Sequence, residues 1–370
     1  MKKIFHFSRS CSVHTDGVGN FFLVTNTFNG PVTIYQIDMN NKVSIPEGTT
    51  EEEFWPSVTV RETSNTGSPS KSFLIRGFSP KEEPRIFRYK IYPCNNIGHS
   101  TFLNIDSSVH IDRYSRIDHD RLIIYSYHPK DINARNIYLH TLTDKQEKPV
   151  LLRTVREPLW GFIADEQNNL YYATENGITK IGGTTGKTIW HTPMDLQTTN
   201  GISSFSINYI GSKIIITFID KGLSISLRTM EFAPETGERV EFEPCTINHH
   251  SWYYPPNFVP AQERYNCLWR IVNQGRGSII LRLDTNKKAW ELIGQSSVMF
   301  LHKFFICEEN KFIVEGGMEQ VKVELIQSDK QELLCNFRRF DGCDCVLSAK
   351  NQLGIYMEHK GKVKFIKMDI

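Results

Sequence analysis

Apolar residues fall along this chain in short runs of about five, each closed by polar or turn-forming residues. One stretch shows the pattern with little interruption. Trp160-Gly-Phe-Ile-Ala-Asp165 is a first run, closed by Gln167-Asn-Asn169. Leu170-Tyr-Tyr-Ala-Thr174 follows, then a turn at Asn176-Gly177, then Ile178-Thr-Lys-Ile181. A Thr-Gly-Lys turn leads into a last run that holds Trp190. Short runs rich in β-branched and aromatic residues, joined by Asn-Gly and other Gly-bearing turns, predict antiparallel strands. This stretch predicts four of them.

The same frame recurs. Strands equivalent to the one at Leu170 begin at Phe21 (FFLVT), Phe73 (FLIRG), Leu122 (LIIYS), Ile214 (IIITF), Leu268 (LWRIV), Phe312 (FIVEG) and Leu353 (LGIYM). With Leu170 these make eight units, at intervals of 52, 49, 48, 44, 54, 44 and 41 residues. Each run is followed by a loop and a further β-rich segment, for example VTIYQID, NIYLHTL, SIILRLD and VKFIKMD. A repeat of four-stranded units at this spacing resembles the β-propeller superfamily over nearly the whole chain. The resemblance implies an all-β fold: a single β-propeller domain over residues 1–370 with eight four-stranded blades. A seven-blade arrangement is the alternative, with one of the less regular first units as an insertion.

The ends of the chain fit this reading. The eighth unit stops inside its third strand at Ile370, while Lys3–Ser8 reads as a strand left over before the first unit. The N-terminal strand is expected to complete the last blade and close the ring, because an unpaired edge would otherwise remain. The fourth unit is similar to a blade of the quinoprotein (PQQ-repeat) type, through Asn176-Gly177 and Thr185-Gly-Lys-Thr-Ile-Trp190. The sixth, Leu283-Asp-Thr-Asn-Lys-Lys-Ala-Trp290, is similar to a PQQ or kelch blade, and Gly316-Gly317 is kelch-like. No unit carries the Gly-His and Trp-Asp signature of WD40 blades.

Composition narrows the function classes. Hydrophobic residues make up 39% and charged residues 23% of the chain, which excludes a disordered polymer. The net charge of +2 offers no chain-wide attraction to nucleic acid or an anionic membrane. No apolar run approaches the roughly 18 residues of a membrane span. The opening MKKIFHFSRS lacks the apolar stretch of a signal peptide, so a cytoplasmic monomer is expected. Its eight cysteines then read as reduced thiols. Cys343-Asp-Cys345 is the one close pair, without a second pair at zinc-site spacing, so neither metal nor cofactor is expected. Gly182-Gly-Thr-Thr-Gly-Lys-Thr188 resembles a phosphate-binding loop but has the wrong glycine spacing and leads into a strand, so it reads as a hairpin turn. Trp190 and Trp290 are expected to pack between blades.

Candidate chemistry gathers where fourth strands connect to the next blade. The longest such connection holds His249, His250, Trp252, Tyr253 and Tyr254, followed by Pro255-Pro256. Large amphipathic rings on a proline-stiffened loop suit recognition. Trp55 and Trp160 take equivalent places at the start of first strands, Val109-His-Ile-Asp-Arg113 is a further connection, and Arg338, Arg339 and Asp341 follow the seventh blade. Two guanidinium groups would suit a carboxylate or phosphate. The reading favoured is a non-catalytic interaction module that offers this face to a protein or peptide partner, or to a small anionic ligand. Two alternatives stand beside it. One is a lyase-like enzyme with His249, His250 and Tyr253 in proton transfer and Arg338 or Arg339 holding the substrate. The other is a glycan-binding propeller with sugar stacked on Trp252 or Trp55.

Overall fold

The computed structural model describes residues 2–370 apart from 8–10, 17, 26–29, 47–53, 63–71, 83–85, 95–99, 107, 117–120, 129, 143–147, 158, 166, 168, 195–201, 222–224, 247–261, 265–266, 274–276, 318–319, 328–329, 339–341, 349 and 360–361. Among the described residues all regular structure is β-strand. Strand β1 (Lys2–Phe7) opens the chain. Blade 1 is β2 (Cys11–Thr15), β3 (Phe21–Thr25), β4 (Ile34–Ile37) and β5 (Val43–Ser44). Blade 2 is β6 (Trp55–Glu62), β7 (Ser72–Phe78), β8 (Phe87–Pro93) and β9 (Thr101–Phe102). Blade 3 is β10 (Ile111–Arg116), β11 (Arg121–His128), β12 (Asp131–Thr141) and β13 (Val150–Val155). Blade 4 is β14 (Gly161–Ala164), β15 (Leu170–Thr174), β16 (Gly177–Ile181) and β17 (Thr188–Pro193). Blade 5 is β18 (Ile202–Ile210), β19 (Lys213–Lys221), β20 (Ile225–Phe232) and β21 (Arg239–Glu241), with β22 (Cys245–Thr246) added to β20. Blade 6 is β23 (Gln262–Arg264), β24 (Cys267–Asn273), β25 (Ser278–Asp284) and β26 (Ala289–Ser296). Blade 7 is β27 (Leu301–Glu308), β28 (Lys311–Gly316), β29 (Gln320–Gln327) and β30 (Lys330–Arg338). The last three strands are β31 (Gly342–Leu347), β32 (Gln352–His359) and β33 (Lys362–Asp369).

Strand β1 supplies the fourth strand of blade 8. It pairs antiparallel with β33, from Lys2 opposite Met368 to Phe7 opposite Val363, as expected from the unpaired ends of the sequence. The fold is an eight-bladed β-propeller whose blades are antiparallel meanders. Blades 2 and 3 share one eight-stranded sheet, because β6 and β10 pair in parallel at Arg61–Arg113 and Glu62–Tyr114. By contacts the chain resolves into two compact units. The first holds blades 8, 1, 2 and 3, and the second holds blades 4 to 7.

The second strand of each blade is its core. Every residue of β3 and of β15 is buried, whichever face it points to. A strand covered on both faces reads as a continuous apolar run, which is why FFLVT and LYYAT stand out in the sequence. The cover comes from neighbouring blades. In the first unit, Phe22, Val24 and Ile34 of blade 1 cluster with Phe73, Ile75 and Tyr92 of blade 2. In the second, Tyr171 and Ile178 of blade 4 cluster with Ile214, Ile216 and Phe218 of blade 5, with Trp190 packed against them. Trp290 packs in the same way between blades 5 and 6.

Buried amines fasten one blade to the turn of the next. Lys180 Nζ of blade 4 donates to Pro234 O of blade 5 at 3.0 Å, and Trp190 Nε1 donates to the same carbonyl at 2.8 Å. Lys367 Nζ of blade 8 donates to Asp38 O of blade 1 at 2.7 Å. The two lysines hold equivalent places, each opposite the residue after the leucine that opens the second strand's apolar run: Tyr171 after Leu170, and Gly354 after Leu353. A second recurring device is the five-residue turn before the second strand. Asp16 Oδ1 accepts the amide of Asn20 at 2.8 Å, and Asp165 Oδ1 accepts the amide of Asn169 at 2.7 Å. In each case the other carboxylate oxygen accepts from the Asn side chain. The glycine-rich segment at 182–187 is a hairpin turn closed by Gly182 N to Lys187 O at 3.0 Å, and it leads straight into β17. The Asn176-Gly177 turn requires its glycine. Gly177 has φ +140°, and a Cβ there would meet Thr192 O at 2.3 Å.

Along β1, exposed and half-buried residues alternate. Phe5 packs on Phe365, with ring centroids 6.3 Å apart, while Ile4 is 47% exposed. Phe5→Ala should therefore cost about 1–3 kcal/mol of unfolding free energy, and Ile4→Ala less than about 0.5 kcal/mol. Urea denaturation of the two variants measures the difference.

Candidate functional site

The residues singled out by sequence divide sharply. His249, His250, Trp252, Tyr253 and Tyr254 lie outside the described residues, as do Arg339 and Asp341. Arg338 ends β30 opposite Gln320, and its side chain is outside the described set. Trp55 and Trp160 stand where the sequence puts them, at the start of β6 and just before β14. Each is half-buried against a neighbouring ring. Trp55 meets Phe78 edge-on at 6.3 Å between centroids, and Trp160 meets Phe205 at 5.4 Å. The surroundings of these two tryptophans are those of packing residues.

A recess suited to a ligand lies in the first unit, at the connection from blade 2 to blade 3. Strand β9 is only two residues long, and the chain then arches across to β10. Both ends of the arch are pinned to Tyr89. Its carbonyl accepts the Leu103 amide at 2.8 Å, and its hydroxyl accepts the Ile111 amide at 2.9 Å. Leu103 and Ile111 are buried, while Asp106 between them is exposed. Beneath the arch is a cavity of about 290 Å³. Ile105, Val109, Ile124, Pro149 and the ring of Tyr138 form its apolar walls. Asn104, Asp106 and Lys148 supply its polar positions.

The electrostatics of the rim are defined by two groups. Asp106 Oδ1 accepts from the Ser108 amide and the Ser108 hydroxyl, each at 2.8 Å. Those hydrogen bonds hold the carboxyl below its ordinary range, and the charge of Lys148 pulls the same way. Tyr138 Oη accepts from Asn136 Nδ2 at 3.0 Å, and Asn136 Oδ1 accepts from Thr154 at 2.9 Å, so the phenol is held in place. The arrangement can bind and orient a small amphiphile. Of the cavity residues, the sequence places Ile124 and Tyr138 in strands of the third unit and Val109 in a connection, and marks none of them as lining a cavity. The cavity had no local signal, because its walls come from segments up to 45 residues apart.

Besides Lys180 and Lys367, two further buried cations were not singled out by sequence. Arg270 lies in the middle of the apolar run LWRIV, fully buried between blades 5 and 6 of the second unit. Its guanidinium donates to Thr217 Oγ1, which in turn is 2.9 Å from Ser206 Oγ. Burial pushes Arg270 down to about 9. An arginine inside an otherwise apolar strand was the available signal. Lys90, in β8 beside β9, is 7% exposed, with its ammonium over the Phe102 ring at 4.9 Å. Among the described residues, no three His, Cys, Asp or Glu side chains converge as a metal site.

No protein-family model matches the chain, and no curated protein matches it in sequence. Solved structures do resemble it in fold. Dihydro-heme d1 dehydrogenase NirN in complex with DHE aligns at a TM-score of 0.52 and 10% identity, over 90% of this chain and 66% of that one. Oligogalacturonate lyase in complex with manganese aligns at 0.54 and 9%, over 100% and 98% of the two chains. Prolyl oligopeptidase B from Galerina marginata aligns at 0.55 and 9%, over 97% of this chain and 56% of that one. The chain thus spans about two thirds of the NirN chain and little more than half of the oligopeptidase. At these identities the likeness is one of fold alone.

Burial pushes Lys90 down to about 8 from the ordinary lysine value of 10.5. The folded protein then binds fewer protons than the unfolded chain between about pH 8 and 10.5, so this residue's contribution to stability rises with pH across that window. Raising the pH from about 7.5 to 9.5 should stabilise the wild type relative to Lys90→Met, as read by urea midpoints.

Proposed function

We propose that the chain is a non-catalytic interaction module for a peptide segment of a partner protein. The segment pairs with the free edge of β13 and places one apolar side chain in the adjoining cavity. The observation that carries this is the edge itself. β13 is the terminal strand of the eight-stranded sheet, six residues long, without proline and with Arg153 as its one charged side chain. Val150 is 56% exposed and Leu151 51% exposed, and they follow directly on Lys148 and Pro149 of the cavity. An edge strand presents a row of unpaired backbone donors and acceptors, and an added peptide strand satisfies them. Proteins commonly blunt such an edge with proline or lysine, and β13 has neither. A cavity at one end of the edge gives the pairing a side-chain anchor and therefore specificity.

Peptides selected from a random display library test this reading by amide hydrogen exchange. A bound peptide should slow exchange in β13, Leu151→Lys should weaken binding roughly tenfold or more, and Trp252→Ala/Tyr253→Ala should leave it unchanged. Protection absent from β13, with Leu151→Lys binding as the wild type does, would overturn it. A loss of binding confined to the Trp252/Tyr253 variant would instead place the partner on the aromatic segment picked out from sequence.

A further inference from the structure

The cavity beneath the β9–β10 arch has two opposite charges at its rim over an apolar body. Asp106 commits Oδ1 to Ser108 and leaves Oδ2 able to accept. Lys148 is exposed at the same rim, and its charge acts on the Asp106 carboxyl. Tyr138 accepts from Asn136 through its oxygen and still has its own proton to give. A purely anionic amphiphile would meet Asp106, and a purely cationic one would meet Lys148. A ligand carrying both charges satisfies both groups. The volume of about 290 Å³ stands at the small end of ligand pockets, with room for a single side chain.

We propose that this cavity binds a free hydrophobic α-amino acid. Asp106 Oδ2 takes the ammonium, Lys148 and Tyr138 donate to the carboxylate, and the side chain lies against Ile105, Val109, Ile124 and Pro149. The inference rests on the peptide reading only in using the same cavity as a binding site, and it requires no peptide. A free amino acid in the cavity would occupy the place of the peptide's anchor side chain, which makes the two ligands competitors. Both charged groups sit at the exposed rim, so each can be changed without emptying the core.

Calorimetric titration separates the contributions. L-Leucine and L-phenylalanine should bind. N-acetyl-L-leucine, which lacks the ammonium, and L-leucinamide, which lacks the carboxylate, should each bind roughly tenfold more weakly or worse. In Lys148→Met the preference for leucine over leucinamide should vanish while that over N-acetyl-leucine persists, and Asp106→Asn should show the reverse. Thermal unfolding of both variants should match the wild type. Absence of leucine and phenylalanine binding up to about 10 mM, or equal binding of the capped forms, would sink the proposal. In that event, persistent protection of β13 by a selected peptide would leave the peptide reading standing. Conversely, amino-acid binding without any peptide protection would retain the cavity's role and remove the edge strand's.

Discussion

A β-strand whose two faces are both apolar cannot be satisfied by its own sheet. In this chain β3 and β15 are buried at every residue, and cover comes from adjoining blades of the same unit: blades 8 and 2 for β3, blade 5 for β15. Burial of apolar area, at about 25 cal/mol per Å², is therefore gained in clusters that span adjacent blades. The same constraint gives the terminal strand its place. Without β1, strand β33 would keep β32 on one side but lose its partner on the other, together with the ring of Phe5.

Seams built for apolar contact leave the polar groups that cross them with few options. A backbone carbonyl removed from water costs free energy unless it is paired. Lys180 and Trp190 meet that need at Pro234, and Lys367 meets it at Asp38. The two lysines occupy equivalent positions in blades 4 and 8, so these two blades share a polar contact as well as apolar ones. Arg270 is a harsher case, a guanidinium held wholly away from water against Thr217. Its lowered pKa records the cost of keeping a charge there.

The cavity follows from the shortness of β9. With two residues in the strand, the chain leaves the sheet early and spans the gap to β10 as an arch held at Leu103 and Ile111. An arch cannot fill the space beneath it as a pleated strand would. Beside it, β13 ends its sheet with Val150 and Leu151 in solvent. A recess and a terminal strand thus adjoin among the described residues.

The amino-acid order determined the blades by itself. The second strands are continuous apolar runs at a regular spacing, and turns such as Asn176-Gly177 depend on residues adjacent in the chain. Strand β1 was legible for a related reason, since a repeat with one strand missing at its end and one spare at its start has a single economical pairing. The tryptophans at 190 and 290 were legible as packing residues because each follows a turn in an otherwise complete blade. Composition drew the eye to the aromatic and histidine-rich segment at 249–254, which lies outside the described residues. It gave no hint of Asp106 and Lys148, which are ordinary surface residues in the sequence and become a pair of opposite charges only across the cavity. Nor did it mark Arg270, whose acceptor Thr217 lies in another blade. Only the tertiary structure decided these features. Strand formation depends on neighbours within a few residues, while a cavity or a buried charge depends on which distant side chains the packing of blades brings together.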